Sequence, residues 1–176
     1  MAKHGVRIPV PRAGELRADA ADLLPLIAAP GREPARTMAV LAYQPDLLSP
    51  FLGWAAALAL NGVLPKRDHE ILALRASHNC GSEFEWVEHA QFALDAGLTA
   101  AEIALVARPV GDGSWTAAER ALIDAADQLD TDQDVSDATW AVLSEHYDAP
   151  ALVEIVLVVG QYTMLSLFAN AAGIQA

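Results

Sequence analysis

Cysteine is almost missing from this chain: Cys80 is the only one. A single thiol excludes an internal disulfide framework, a C-x-x-C redox pair and a cysteine-rich metal site, and it fits a reducing compartment, so a cytoplasmic protein is expected. Basic residues are scarce as well. Eleven Lys and Arg face 23 Asp and Glu, for a net charge of -12. Nucleic acid and anionic membranes both need a basic stripe, so neither is expected as a partner. Residues 1–12 carry positive charge, but Pro9, Pro11, Arg12 and Glu15 interrupt the apolar run a signal peptide requires, and a flexible arm is expected there. Strand-like alternation is also lacking.

Apolar residues are plentiful. They make up 53% of the chain, while charged residues make up 19%, below the roughly 25% of an ordinary soluble domain. That surplus calls for helices buried all round or a wide face hidden by self-association, which points to a homo-oligomer. The apolar stretch of residues 155–176 tests as a membrane span. Gln161, Tyr162, Asn170 and two glycines interrupt it and no basic flank follows, so a buried helix is expected.

Periodicity and punctuation are helical throughout. A first helix is expected over residues 13–27, ended by the Pro30–Pro34 cluster, and a second begins near Pro34. Pro45 and Pro50 mark turns or helix starts, and residues 47–60, apolar all round, should be central until Asn61-Gly62 stops them. Pro65 opens a helix to about His78. Three S/T-x-x-E patterns, Ser82/Glu85, Thr99/Glu102 and Thr116/Glu119, read as capping boxes, with Gly97 as a left-handed stop. Residues 110–114 are the clearest loop. Ser136 caps a helix ending near His146, and Asp148 with Pro150 opens the last. The class is all-α, about seven to nine helices, with one domain over residues 13–176 after the arm of residues 1–12.

Ionisable groups concentrate between residues 70 and 89: Glu70, His78, Cys80, Glu83, Glu85, Glu88 and His89. Glu85 and His89 are four apart on one helix, so their side chains share a face as a general-base pair. Ser82 and Glu85 lie in the first turn, where free backbone N–H groups favour developing negative charge. Glu70 stands among Ile71, Leu72 and Leu74, where burial would favour its protonated form and suit it to proton transfer near neutrality.

The spacing Glu70, Ser82, Glu85, His89, followed by Ala93, Leu94, Ala96-Gly97-Leu98-Thr99 and Glu102-Ile103, resembles the carboxymuconolactone decarboxylase and alkyl hydroperoxidase D-like family. Residues 62–70 and Val159-Gly160-Gln161-Tyr162 with Asn170 also look like its larger members, which carry Cys-x-Ser-Glu-Tyr-Glu-Trp-x-x-His, here Cys80 to His89 with Phe84 for tyrosine. The resemblance implies a helical bundle of the alkyl hydroperoxidase D-like type, a homo-oligomer that is a trimer or a dimer-based assembly, and a small-molecule substrate. Where peroxidase members have their cysteine pair, this chain has Ser82 and Glu85. The disulfide-forming mechanism therefore has no second thiol.

What remains resembles the decarboxylase side: an enzyme with no cofactor and no metal that moves protons on a lactone or enolisable carbonyl. By that resemblance His89 is the acid/base, Glu85 orients it and Glu70 relays a proton. Ser82, Cys80, Trp86, Tyr162 and Arg75 are secondary or substrate-binding candidates, and Lys66, Arg67 and Arg75 are the cations near the block. Two other readings stand: a one-cysteine thiol peroxidase using Cys80, and a catalytically silent assembly protein. Structural roles compete at single residues. Ser82 and Glu85 can be only a cap, Trp86 core or subunit contact, Cys80 a small buried residue, Glu83 and Glu88 solvated, and His69 and His78 surface or cap groups.

Overall fold

A computed structural model describes residues 5–12, 14–27, 33–111 and 115–176, and among them every regular element is an α-helix, nine in all. The chain divides into two compact units: Gly62–Leu167, and the described residues up to Asn61 together with Phe168–Gln175.

The second of these contains α1 (Ala18–Ile27), α2 (Arg36–Leu41) and α3 (Pro45–Asn61). Ala20, Leu24, Ala42 and Leu48 form its core, with Leu16, Leu23, Met38, Leu41 and Leu52 packed around them. The backbone N–H groups of Arg7 and Ile8 both donate to the Ala172 carbonyl, and the Arg36 guanidinium donates to that of Gln175. Helix α1 starts at Ala18; Ala13 and the Pro30-Gly31 part of the expected break lie outside the described residues. Pro45 opens α3 and Pro50 is absorbed near its start.

The expectation that residues 47–60 are central does not hold. In α3 only Leu48 and Leu58 are buried, while Leu47, Trp54 and Leu60 are exposed. Helices α1 and α2 pack against α3, where Leu48 and Leu52 join their core. Apolar residues all round a helix reveal a demand for cover, not which element supplies it.

The unit Gly62–Leu167 holds α4 (Lys66–Asn79), α5 (Glu83–Asp95), α6 (Ala100–Val106), α7 (Ala117–Thr131), α8 (Asp137–His146) and most of α9 (Ala149–Ala172). Helix α4 packs against α5, α6 and α7, and α7 carries α8. Every residue of α4 from His69 to Ser77 is buried, its polar ones included. Each of those must find a partner inside. Ser77 Oγ donates to the Ala73 carbonyl (2.7 Å), and the others make the contacts below. Of the expected loop at residues 110–114, residues 112–114 lie outside the described residues.

Capping residues set the helix starts. Thr99 with Glu102 and Thr116 with Glu119 form complete boxes, and one arginine ties the two together: Arg67 donates to Glu119 (2.8 Å), to Glu102 (2.5 Å) and to the Gly97 carbonyl (3.2 Å). At Ser82 only half the expected box forms. Its Oγ accepts from the Glu85 N–H, but its own N–H donates to the Ser77 carbonyl (2.9 Å), because Gly81, at φ +62°, ends α4 in a left-handed turn. That 6→1 bond, with Gly81 N–H to His78 O, reverses the chain within three residues and lays α5 back on α4. The Glu85 carboxylate is thereby left free of a capping duty.

Helix α9 is long and apolar enough to cross a membrane by length and composition, and half of its most apolar stretch is buried inside the protein. Its one charged residue, Glu154, accepts from the Val63 (2.6 Å) and Leu64 (3.3 Å) N–H groups.

Arg75 is built into the fold. Its guanidinium donates to both Asp127 oxygens (2.5 and 2.6 Å) and to the Val106 (2.5 Å) and Arg108 (2.8 Å) carbonyls, and Asn79 also donates to Asp127 (2.9 Å). Four of its five N–H donors are committed in this way. Arg75→Met strands two carbonyls and leaves the Asp127 carboxylate to the Asn79 amide, and is expected to lower the unfolding free energy by about 3 kcal/mol in urea denaturation. A loss of substrate affinity with unchanged stability would place Arg75 at the substrate instead.

Candidate active site

The reversal at Gly81 brings Glu70 of α4 beside His89 of α5. His89 Nδ1 is 2.7 Å from Glu70 Oε2, and both side chains are buried. In the tautomer in which Nδ1 donates to the Glu70 carboxylate, which as an acceptor complements it, Nε2 is left as a lone pair. That lone pair faces Glu85: Nε2 lies 4.0 Å from Glu85 Oε2. The helical spacing thus brings Glu85 and His89 together, but the orienting hydrogen bond comes from Glu70.

Glu85 is the unusual member. It is 3% exposed, and its Oε1 is buried with no hydrogen-bond partner. Burial pushes its carboxyl up to about 7, with His89 opposing the rise and Glu88 adding to it. A carboxyl poised near neutrality beside an imidazole is suited to give and take protons.

Tyr162, reaching in from α9, joins the cluster. Its ring packs edge-on to His89 (centroids 4.3 Å apart), and its hydroxyl pairs with His69 Nε2 at 2.9 Å. Burial first, then Glu70 and Glu85, raise the phenol far above its usual range, so it stays protonated. Burial lowers His69, which stays neutral. The reading of His69 as a surface or cap group is corrected here: it is 3% exposed and bonded to Tyr162. Its place next to Glu70, at the start of a buried apolar run, was the available signal. Phe92, half-exposed, meets the His89 ring edge-on at 5.5 Å and had no signal beyond its i+3 position.

The remaining candidates stand apart from these contacts. Ser82 is buried as the cap of α5. Trp86 is half-buried, with its ring against His78. Cys80 caps the end of α4, where burial and Asp130 push its thiol up although the Thr163 and Ser166 hydroxyls oppose them. A raised thiol is a poor nucleophile. Glu83 is exposed and Glu88 half-exposed. Arg67 is held by Glu102 and Glu119, Arg75 by Asp127, and Lys66 is on the surface. Among the described residues no group of three or more His, Cys, Asp or Glu side chains is arranged to hold a metal ion. Cavities of about 410 Å³ at Leu129, Gln133 and Trp140, and of about 320 Å³ at Ile8, Tyr43 and Phe168, are lined by none of the cluster's residues.

Comparison with known proteins meets this arrangement from outside. Residues 45–128 match the Carboxymuconolactone decarboxylase family. Comparison with curated proteins finds no match. Among solved structures, an uncharacterized peroxidase-related protein from Silicibacter sp. TM1040 superposes with a TM-score of 0.84 at 17% identity, over 98% of this chain and 92% of that one. A peroxidase-related protein with an alkylhydroperoxidase AhpD core from Ralstonia eutropha JMP134 gives 0.83 at 21%, over 99% and 93%. A variant of the debrominase Bmp8, solved with 2,3,4-tribromopyrrole, gives 0.76 at 16%, over 99% and 93%. At these identities the likeness is one of fold.

Glu85 makes stability depend on pH. The unfolded chain releases this proton near 4.5 and the folded one near 7, so between those values the folded state binds more protons and loses stability as pH rises. The full loss is on the order of 3 kcal/mol. Glu85→Gln lacks the titration. Its stability relative to wild type is expected to rise by roughly 2–3 kcal/mol between pH 5 and pH 8 in chemical denaturation; a constant difference would place the Glu85 carboxyl in water.

Proposed function

We propose, from the match of residues 45–128 to the carboxymuconolactone decarboxylase family, that the chain is an acid/base enzyme that transfers protons on a small lactone or enolisable carbonyl compound. One observation carries this reading: the buried Glu85 carboxyl, with one oxygen unpartnered and the other facing His89 Nε2.

As base, Glu85 takes the proton next to the substrate carbonyl. The C–H electron pair moves into the carbonyl, giving an enolate. Returning the proton at another carbon isomerises the substrate, and loss of a group from the next carbon completes an elimination. In a decarboxylation the C–C bond to the carboxylate breaks, its electrons form the enolate, carbon dioxide leaves, and Glu85 in its acid form protonates the carbon. His89 resupplies or removes the proton through Nε2, and Glu70 steadies the imidazolium that forms in passing. None of these steps calls for a cofactor or a metal.

The commitments of Arg67 and Arg75 favour a substrate with little negative charge over a dianion. The fold is shared with a debrominase and with peroxidase-related proteins, yet the thiol reading has less support in this chain, since Cys80 has a raised pKa and sits outside the contacts around His89.

The test is solvent deuterium incorporation into a panel of enolisable lactones and 3-keto acids, followed by mass spectrometry. Wild type is expected to exchange, Glu85→Gln and His89→Ala to lose about 100-fold or more, and Glu70→Gln to lose about 10-fold. Cys80→Ser is expected to match wild type. Exchange that is equal in wild type and Glu85→Gln, or absent from wild type across the panel, would overturn the assignment; loss in Cys80→Ser alone would return the site to thiol chemistry.

A further inference from the structure

The outer face of α9 has no role in the cluster above. Val153, Val156, Leu157, Gly160, Met164 and Leu167 are exposed along it, with Val153 and Leu167 each near 60%. They recur every three or four residues, so they form one stripe down the helix. No charge breaks it: Glu154, the only charged residue of α9, is buried against the Val63 and Leu64 N–H groups. A monomer with such a stripe leaves a long apolar surface in water.

Two details identify the occupant. The stripe is symmetric about Gly160: Val153 and Leu167 lie seven residues to either side of it, and Val156 and Met164 four. An antiparallel copy of the same helix, crossing at Gly160, therefore sets Val153 against Leu167 and Val156 against Met164, twice over. That self-complementarity is what a two-fold contact demands. Gly160 itself is the second detail. A side chain there would meet nothing within 4 Å, so the fold does not require glycine at this point. Mid-helix glycine costs about 1 kcal/mol relative to alanine. A crossing point where two backbones approach closely makes use of it.

We infer that the outer face of α9 is a two-fold contact with a second copy of this chain, centred on Gly160. A lipid bilayer is the less favoured cover, because the opposite face of α9 is occupied by Ile155, Val158, Tyr162 and Leu165, buried in the protein, and Tyr162 is bonded to His69. The inference is independent of the catalytic reading.

The full chain is measured by size-exclusion chromatography with light scattering. Wild type is expected at twice the chain mass or an even multiple of it. Gly160→Glu, which the monomer accommodates, is expected to at least halve that mass while keeping wild-type helicity by circular dichroism. Gly160→Cys in a Cys80→Ser background is expected to cross-link to itself under mild oxidation, because a crossing at glycine brings the two Cα atoms within disulfide range. Monomeric wild type, an unchanged mass in Gly160→Glu, or failure of the cross-link would overturn the contact. So would flotation of wild type with phosphatidylcholine vesicles that Gly160→Glu abolishes, which would assign the face to a membrane.

Discussion

The hydrogen bond from His89 Nδ1 to Glu70 is the contact on which the arrangement of α4, α5 and α9 turns. It exists because α4 is buried from His69 to Ser77, so that each polar side chain on it has to be answered from inside. Glu70 is answered by His89, His69 by Tyr162, Arg75 by Asp127 and two carbonyls, and Ser77 by its own helix. Removing one partner would leave a buried polar group uncompensated, which costs more than the bond itself contributes.

The geometry that delivers His89 to Glu70 also frees Glu85. In a complete capping box the glutamate bends back to the cap residue's N–H, as Glu102 and Glu119 do. At Ser82 that N–H is already bonded to Ser77 through the turn at Gly81, so Glu85 turns toward His89 and keeps an oxygen unpartnered. One backbone turn therefore accounts both for the packing of α5 on α4 and for the carboxyl oxygen left without a partner in the cluster. Electrostatics follows the same logic. Arg67 and Arg75 are paired with Glu102, Glu119 and Asp127 instead of with Glu70 or Glu85.

Much of this could be read in advance. Ser, Thr and Glu three apart announce helix starts because they satisfy N–H groups that any helix leaves open, and Thr99, Thr116 and Ser136 behave accordingly. The four-residue spacing of Glu85 and His89 guaranteed proximity. Other features were hidden. His69 reads as a polar residue near a helix start, and only the arrival of Tyr162 from 93 residues away makes it a buried partner. The apolar residues of α3 suggested a central helix, yet their burial depends on how many neighbours reach it.

Local chemistry and short-range periodicity belong to the sequence: the all-α class, the capped helix starts, the lone thiol, the acidic balance and the grouping of Glu70, Glu85 and His89 along the chain. Helices announce themselves because their hydrogen bonds and caps close within four residues. Which carboxylate holds the histidine and which keeps an unpartnered oxygen was decided by tertiary structure, as were the ion pair of Arg75 and the open face of α9. Burial, partner choice and pKa depend on groups brought together from distant positions, and no window of sequence contains them.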